Sequence, residues 1–355
     1  MKKIYYIAVV FAILFLAGCG DGIDLPGVNV ETDLNKIPLP DNNVNLEQVE
    51  LKPSTEPMLH EGLHTEEDFQ RIRDKKAAGE EPWVSAYQLL VESQFSQKTA
   101  DTYPTEWIKR GVSGDENYMN AARGATIAYQ QALRWKIEQD DEYAAKAVEN
   151  LNKWVQTCVG VTGNTNLSLA AGLYGYEFAI AGELLRDYEG WDRADFAAFQ
   201  NWLLKVFYPA NDDFLKRHHD TNALHYWANW CLCNIAAKMA IGIVTDRRDI
   251  YNEGIGHLQT GDTNGRLRRA IYHDYAPDYN FAQWQESGRD QGHTLMCVGL
   301  MGVICQLAWS QGDDFFAYDD NLFMRACEYA ACCNYTNETV PYTTYIWQKQ
   351  SQWGY

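Results

Sequence analysis

Apolar and polar positions along this chain repeat with the period of helices almost throughout. "TEEDFQRIRDKKAAG" opens at Thr65, with Glu66, Glu67 and Asp68 in its first turn, which predicts a helix start. "PWVSAYQLLVESQF" follows, with Pro82 near its first helical position. Four hairpins come next. "DENYMNAARGATIAYQQALRWKIEQ" is answered by "DEYAAKAVENLNKWVQTCV", and "NLSLAAGLYGYEFAIAGELLRDY" by "DRADFAAFQNWLLKVFY". "TNALHYWANWCLCNIAAKMAIGI" is answered by "DRRDIYNEGIGHL", and "RDQGHTLMCVGLMGVICQLAWSQ" by "DDNLFMRACEYAACCN". In each pair one member is nearly all apolar and rich in Gly, Ala and Cys, and the other carries a single apolar stripe. A helix apolar all round must be buried. The pattern predicts an all-α fold, an α/α toroid with inner helices ringed by outer ones, holding about five or more helical hairpins as an incomplete barrel. Strand signals are few, and "GRLRRAIYHDYAPDYNF" reads as a long loop.

The first residues break this pattern. Lys2 and Lys3 precede an apolar run from Ile4 to Ala17 that closes on "LAGC" at Cys19. This predicts a lipoprotein signal peptide over 1–19, with Cys19 the lipidated first residue of the mature chain. The expected location is the bacterial outer membrane, on its periplasmic or cell-surface side, with lipid on Cys19 as the membrane partner. Residues 20–58, with "DLPGVNV", "KIPLPDNN" and "LKPSTEP", read as a flexible tether. Residues 59–355 make the toroid domain. They end on "QSQWGY" without a helix-ending signal, which leaves room for a missing part of the ring or a following domain.

A net charge of −18 excludes nucleic acid as the expected partner. It does not exclude an anionic substrate, because a cleft is governed by its local charges. Basic clusters stand at 216–219 ("KRHH"), 247–248 and 266–269 ("RLRR"). Eight cysteines besides Cys19 sit mostly in apolar helical runs at spacings that match no zinc site, so buried thiols are expected. No HExxH motif or EF-hand loop occurs, and no cofactor or metal is expected.

The candidate chemistry lies where polar residues open the most apolar helices. In "HHDTNALHYWANW", a helical reading places Asn222, His225 and Asn229 at i, i+3 and i+7 on one face, with Trp230 beside them. Buried amides and imidazoles need partners, which a polar face on a cleft supplies. In "QESGRDQGHT", Arg289 and His293 stand at i and i+4, Glu286 is placed to pair with Arg289, and Asp290 to cap the helix or orient a neighbour. Gln291 belongs to the same mouth. "NTNLSLAAGLYGYEF" offers Asn166 and Tyr174 as further cleft residues, and Trp227, Trp230 and Trp284 are candidates for stacking on sugar rings. Imidazole, amide, guanidinium and phenol groups suit β-elimination on a uronic acid. The C6 carboxylate is neutralised, C5 loses its proton and the departing O4 gains one.

"HYWANWCLCNIAAKMAIGIVTDRRDIYN" resembles the alginate lyase superfamily, where an Asn-Asn-His-x-Tyr-Trp helix start precedes a similar "RRD" outer helix, and "ESGRDQGHT" is similar to a helix start of helical-toroid polysaccharide lyases. The pattern departs at two places. His225 is displaced relative to the motif, and His293 follows Arg289 where a catalytic Tyr is usual. The resemblance implies a polysaccharide lyase cleaving a 1,4-linked uronate polymer such as alginate or glucuronan without a metal. It implies Asn222, His225, Tyr226 and Arg289 as catalytic residues; the helix-mouth reading adds His293 to them and offers Asn229, Trp230, Glu286, Gln291, Asn166 and Tyr174 as substrate-binding ones. Tyr174, Tyr176, Tyr342 and Tyr345 are rivals for the catalytic Tyr. Two alternatives remain open: a glycoside hydrolase on the same toroid using Glu286, Asp290 or Asp220 as proton donor, and a non-catalytic glycan-binding lipoprotein.

Overall fold

Burial sorts the helices into two rings. The computed structural model describes residues 54–335 and 340–345. The expected signal peptide, the expected lipidation at Cys19 and most of the expected tether fall outside the described residues. The elements are α1 (Glu66–Ala77), α2 (Trp83–Glu92), β1 (Trp107–Arg110), α3 (Tyr118–Glu138), α4 (Asp141–Thr157), β2 (Gly160–Gly163), α5 (Leu167–Leu184), α6 (Arg193–Val206), α7 (Tyr208–Arg217), α8 (Ala228–Val244), α9 (Arg248–Thr260), β3 (Ile271–Asp274), β4 (Ala282–Trp284), α10 (Gln291–Ser310) and α11 (Tyr318–Tyr335). Helix α8 is buried along its whole length and α5 at all but Leu167 and Glu177. Helices α3, α5, α8 and α10 pack side by side in chain order as the inner ring. Helices α4, α6 with α7, α9 and α11 cover them from outside, and the pair α1–α2 lies against α3. This is the expected toroid of five hairpins. The inner helices approach closely. A Cβ added at Gly172 would stand 2.5 Å from Cys233 Sγ, so glycine sets the distance between α5 and α8.

Each outer helix carries the chain back, so the four inner helices all begin at one end, called the mouth below. Helix starts there are satisfied in different ways. Asp290 caps α10 by accepting from His293 N at 2.8 Å. Helix α8 has no capping side chain of its own. Gln285 Oε1 accepts from Ala228 N at 2.8 Å and Glu286 Oε1 from Asn229 N at 2.9 Å, so two orphan donors of α8 are met by side chains 57 residues away.

Four local expectations are corrected. The segment 221–227 is a loop, and α8 begins only at Ala228. Asn222 Oδ1 accepts from Leu224 N at 2.8 Å in an Asx-type turn that competes with helix. "IYHDYAPDYNFAQW" is an antiparallel hairpin of β3 and β4, not a structureless loop. The outer segment after Asp192 is two helices, because Pro209 lies in the first turn of α7 and cannot donate across the junction. Strands β1 and β2 pair in parallel at the mouth, with Trp107 opposite Gly160 and Arg110 opposite Gly163, and they carried no alternating signal.

The opposite end is strapped by the first described residues. Arg248 donates to the carbonyls of Glu56 and Pro57 (2.8 and 2.9 Å), Gln311 bonds Leu59 and Glu61, and His60 meets Asp246 at 2.9 Å. A cavity of about 320 Å³ lies there, lined among others by His60, His64, Tyr129, Lys136 and Glu183. It sits at the C-terminal ends of α3 and α5, away from the mouth, since an 18-residue helix such as α5 spans about 27 Å. No disulfide joins the eight cysteines among the described residues, and six of them are buried.

Candidate active site

Three chain segments meet at the mouth. The first is the turn from α7 into α8. His218, His219 and Asp220 lie consecutively in the left-handed region, at φ 51°, 54° and 59°. For residues with a side chain this costs of order 1 kcal/mol or more each, and it persists only where surroundings impose it. Those surroundings are visible. Thr221 Oγ1 donates to His218 O at 2.5 Å, Arg217 pairs with Asp220 at 3.2 Å, and His219 Nε2 lies 2.9 Å from Ser168 Oγ. A ring nitrogen of His219 also meets the carbonyl of Thr165, whose side chain bonds the Tyr226 hydroxyl. The start of α5 thus holds the approach to α8. Asn264 Nδ2 donates to the carbonyls of Leu224 and Tyr226 (3.0 and 2.8 Å), fixing the loop from the other side.

On this loop Tyr226 is buried among aromatic rings, with centroids of His225 at 4.9 Å, Trp230 at 4.7 Å and Phe214 at 5.1 Å. Burial raises its phenol above the ordinary value and keeps it protonated at neutral pH. His225 is half-buried, and neither ring nitrogen has a protein hydrogen-bond partner among the described residues. Desolvation lowers its pKa, so it stands neutral and accessible.

The second segment is the turn from β4 into α10. Arg289 Nη1 donates to Glu286 Oε2 at 2.9 Å, and its guanidinium stacks over Trp227 at 5.0 Å. Its Nη2 has no protein partner among the described residues. His293 Nδ1 lies 2.6 Å from Asp290 Oδ2, and the same oxygen is 4.0 Å from Arg289 Nε. Asp290 is therefore both the cap of α10 and the orienter of His293, as its position in the sequence suggested. With Nδ1–H donating to the carboxylate, Nε2 is left with its lone pair. Arg289 and His293 do not share a helical face, because Arg289 precedes the helix; the Asp290 carboxylate brings them together instead. The third segment is the C-terminal stretch. The Tyr345 hydroxyl bonds Gln285 Nε2 at 2.7 Å, and its ring stands near Trp227 at 6.2 Å.

Asn222, His225, Tyr226, Arg289 and His293 thus all lie at the mouth, with Asn166 beside them at the start of α5. Several expected substrate contacts are corrected. Glu286 is fully buried, and its carboxylate is taken by Arg289, the Asn229 amide and the Cys297 thiol, leaving no surface for a ligand. Asn229 is 1% exposed, with Nδ2 on Met296 Sδ, so its side chain belongs to the packing between α8 and α10. Trp230 packs on Tyr226 and Phe214, Tyr174 sits in the core, and Gln291 is held by Ser287 and Asn334. The basic clusters are also spent internally. Lys216 pairs with Asp212, Arg247 with Asp249 and Arg268 with Asp319. Sequence reasoning missed His219, Thr165, Ser168 and Asn264, and it included Gln285 in the polar mouth without giving it a role. Only the "HH" before "DTN" carried any signal for them.

Among known proteins, the family model described as alginate lyase matches residues 72–338. No curated protein sequence matches the chain. Several solved structures are similar, among them the following three. Alginate lyase A1-III from Sphingomonas species A1 is 12% identical at TM-score 0.52, over 81% of this chain and 85% of that one. A variant of alginate lyase A1-III complexed with a tetrasaccharide is 14% identical at TM-score 0.53, over 78% and 82%. An alginate lyase from Bacteroides ovatus is 14% identical at TM-score 0.54, over 75% and 81%. At these identities the likeness is one of fold.

Proposed function

The chain belongs to the alginate lyase family, it is a polysaccharide lyase, and on that premise we propose that it cleaves a 1,4-linked uronic-acid polymer, alginate or glucuronan, by metal-independent β-elimination at the mouth. The observation that carries this is the Asp290 carboxylate, which contacts both His293 Nδ1 and the edge of Arg289. A uronate presents its C5 proton and its C6 carboxylate on adjacent carbons. Neighbouring base and guanidinium suit that pair of targets. Arg289 Nη2 takes the carboxylate and stabilises the enolate-like charge that develops on it. His293 Nε2 accepts the C5 proton, and Asp290 steadies the imidazolium that results. The electron pair forms the C4–C5 double bond, O4 departs, and the Tyr226 phenol, packed beside His225, supplies its proton.

The hydrolase alternative needs a carboxylic acid free to protonate the glycosidic oxygen. Glu286 is sealed and engaged, Asp290 is committed to a cap and an imidazole, and Asp220 pairs with Arg217. We further propose that Cys19 carries lipid and tethers the domain to the outer membrane, which labelling of the mature chain with a radioactive fatty acid tests.

Incubation with alginate and with glucuronan, followed in the near ultraviolet, tests the reaction, because only elimination makes a conjugated double bond. We expect Arg289→Ala, His293→Ala and His225→Ala each to lower kcat/KM by about 10²-fold or more with the far-UV circular dichroism unchanged. Arg289→Lys should restore little, since an ammonium cannot both stack on Trp227 and fork between Glu286 and a substrate carboxylate. New reducing ends without absorbance would overturn the reading.

A further inference from the structure

We propose that Tyr103, Trp107 and Arg123 form an outer subsite for the acidic polysaccharide, separate from the catalytic mouth. The inference rests on the uronan reading above. Tyr103 and Trp107 are each 41% exposed, and neighbouring Val159 is 57% exposed. Trp107 is not a stray surface ring. A Cβ at position 160 would lie 2.6 Å from its benzo ring, so Gly160 is what lets the indole pack close against β2 while the residue stays 41% exposed. Val159 is tied to the same strand by its N–H to Glu106 O at 2.8 Å. Beside this surface the Arg123 guanidinium stands 5.7 Å from the Tyr103 ring. Its one hydrogen bond goes to Asn120 at 3.4 Å, and it meets no carboxylate among the described residues. The basic clusters at 216–219, 247–248 and 266–269, by contrast, supply arginines and a lysine to internal ion pairs.

Two exposed rings and a guanidinium that meets no carboxylate among the described residues suit a chain of uronate sugars. Aromatic rings take the apolar C–H faces of pyranoses, and arginine takes the carboxylates. The surface is continuous with the mouth. Strand β2 runs from Gly160, opposite Trp107, to Gly163, opposite Arg110. Two residues on, Thr165 holds His219 and the Tyr226 hydroxyl. Three strand residues cover about 10 Å. A polymer seated on Arg289 and His293 would therefore need only a few further sugar units to reach Trp107, and a trisaccharide confined to the mouth would not reach it.

The test is binding of the whole chain and its variants to alginate, glucuronan and a uronate trisaccharide, read by affinity electrophoresis and by tryptophan fluorescence. Trp107→Ala and Tyr103→Ala should each weaken polymer binding about five-fold or more while leaving trisaccharide affinity and kcat unchanged. Trp107→Phe should keep most of the affinity, and Arg123→Ala should flatten its dependence on salt. If Trp107→Ala binds polymer like wild type, or loses trisaccharide and polymer alike, the outer subsite is wrong. A change in oligomeric state without a change in polymer binding would also overturn it, by assigning the rings to a contact between copies. Cleavage that survives with unaltered binding in Trp107→Ala removes the subsite and leaves the lyase reading standing. Polymer binding through Trp107 without unsaturated product does the reverse.

Discussion

Asp290 is the residue on which two roles converge, and its two carboxylate oxygens separate them. Oδ1 caps α10 through the His293 amide, and Oδ2 orients the His293 ring. Asp290→Asn retains an acceptor for the cap but replaces the charge that steadies an imidazolium. We expect it to melt within a few degrees of wild type while kcat falls about 10²-fold or more. Asp290→Ala should lose activity to a similar degree and about 1 kcal/mol of stability as well. Thermal melts beside turnover of the two variants check this, and equal melting losses in both would mean that the carboxylate acts mainly as a structural tie. The cap and the orienter were legible in "GRDQGHT" only as alternatives, because a cap acts on the amide three residues ahead and needs no distant partner; that one carboxylate does both is shown by the structure. The pairing of Glu286 with Arg289 was legible from their spacing, but its second role was not, since its charge and spacing look the same whether the side chain faces a cleft or, as here, the start of another helix.

Among the elements, α8 shows how far an inner helix depends on its neighbours. Its sequence supplies an apolar surface all round but no capping side chain at Trp227. Gln285 and Glu286 complete it from the opposite turn. Gln285→Leu would leave the buried Ala228 amide without an acceptor and the Tyr345 hydroxyl without a partner. We expect a loss of about 1–3 kcal/mol in urea unfolding, together with a rise in KM, because the same turn carries Arg289. Stability lost with kinetics intact would mean that the turn positions Arg289 without help from α8. The helical reading of 221–227 failed for a related reason. The Asn222 turn and the Asn264 contacts outweigh a modest helical propensity once the loop has somewhere to dock.

At the scale of the whole molecule, an inner helix and the strapped end each hold a group that titrates against burial. Glu177, midway along α5, is raised by desolvation to about 8. His64, bonded to the Tyr129 hydroxyl at 2.6 Å, is lowered by desolvation to about 4. The signs follow from linkage. Between pH 4.5 and 8 the folded state holds a proton on Glu177 that the unfolded state releases, so this group withdraws stability as pH rises through that window. Between pH 6.5 and 4 the unfolded state protonates His64 while the folded state does not, so stability is lost as pH falls. Glu177→Gln should therefore flatten the alkaline decline and His64→Gln the acid one, seen in urea midpoints at pH 5, 6.5 and 8. Parallel profiles for wild type and Glu177→Gln would show that Glu177 ionises as freely folded as unfolded.

The order of the helical hairpins and the assignment of their members to the inner or outer ring were determined by sequence alone, although the outer member after Asp192 proved to be two helices. A helix declares its burial through the period of its own side chains, which is local information. What tertiary structure decided was partnership: that Glu286 and Gln285 finish α8, that Thr165 and Ser168 hold His219 and Tyr226, and that Trp107 rests on a glycine of another strand. Such contacts join residues tens of positions apart across loops with no period. Whether a charged or aromatic side chain there meets protein or ligand depends on what the rest of the fold brings opposite it.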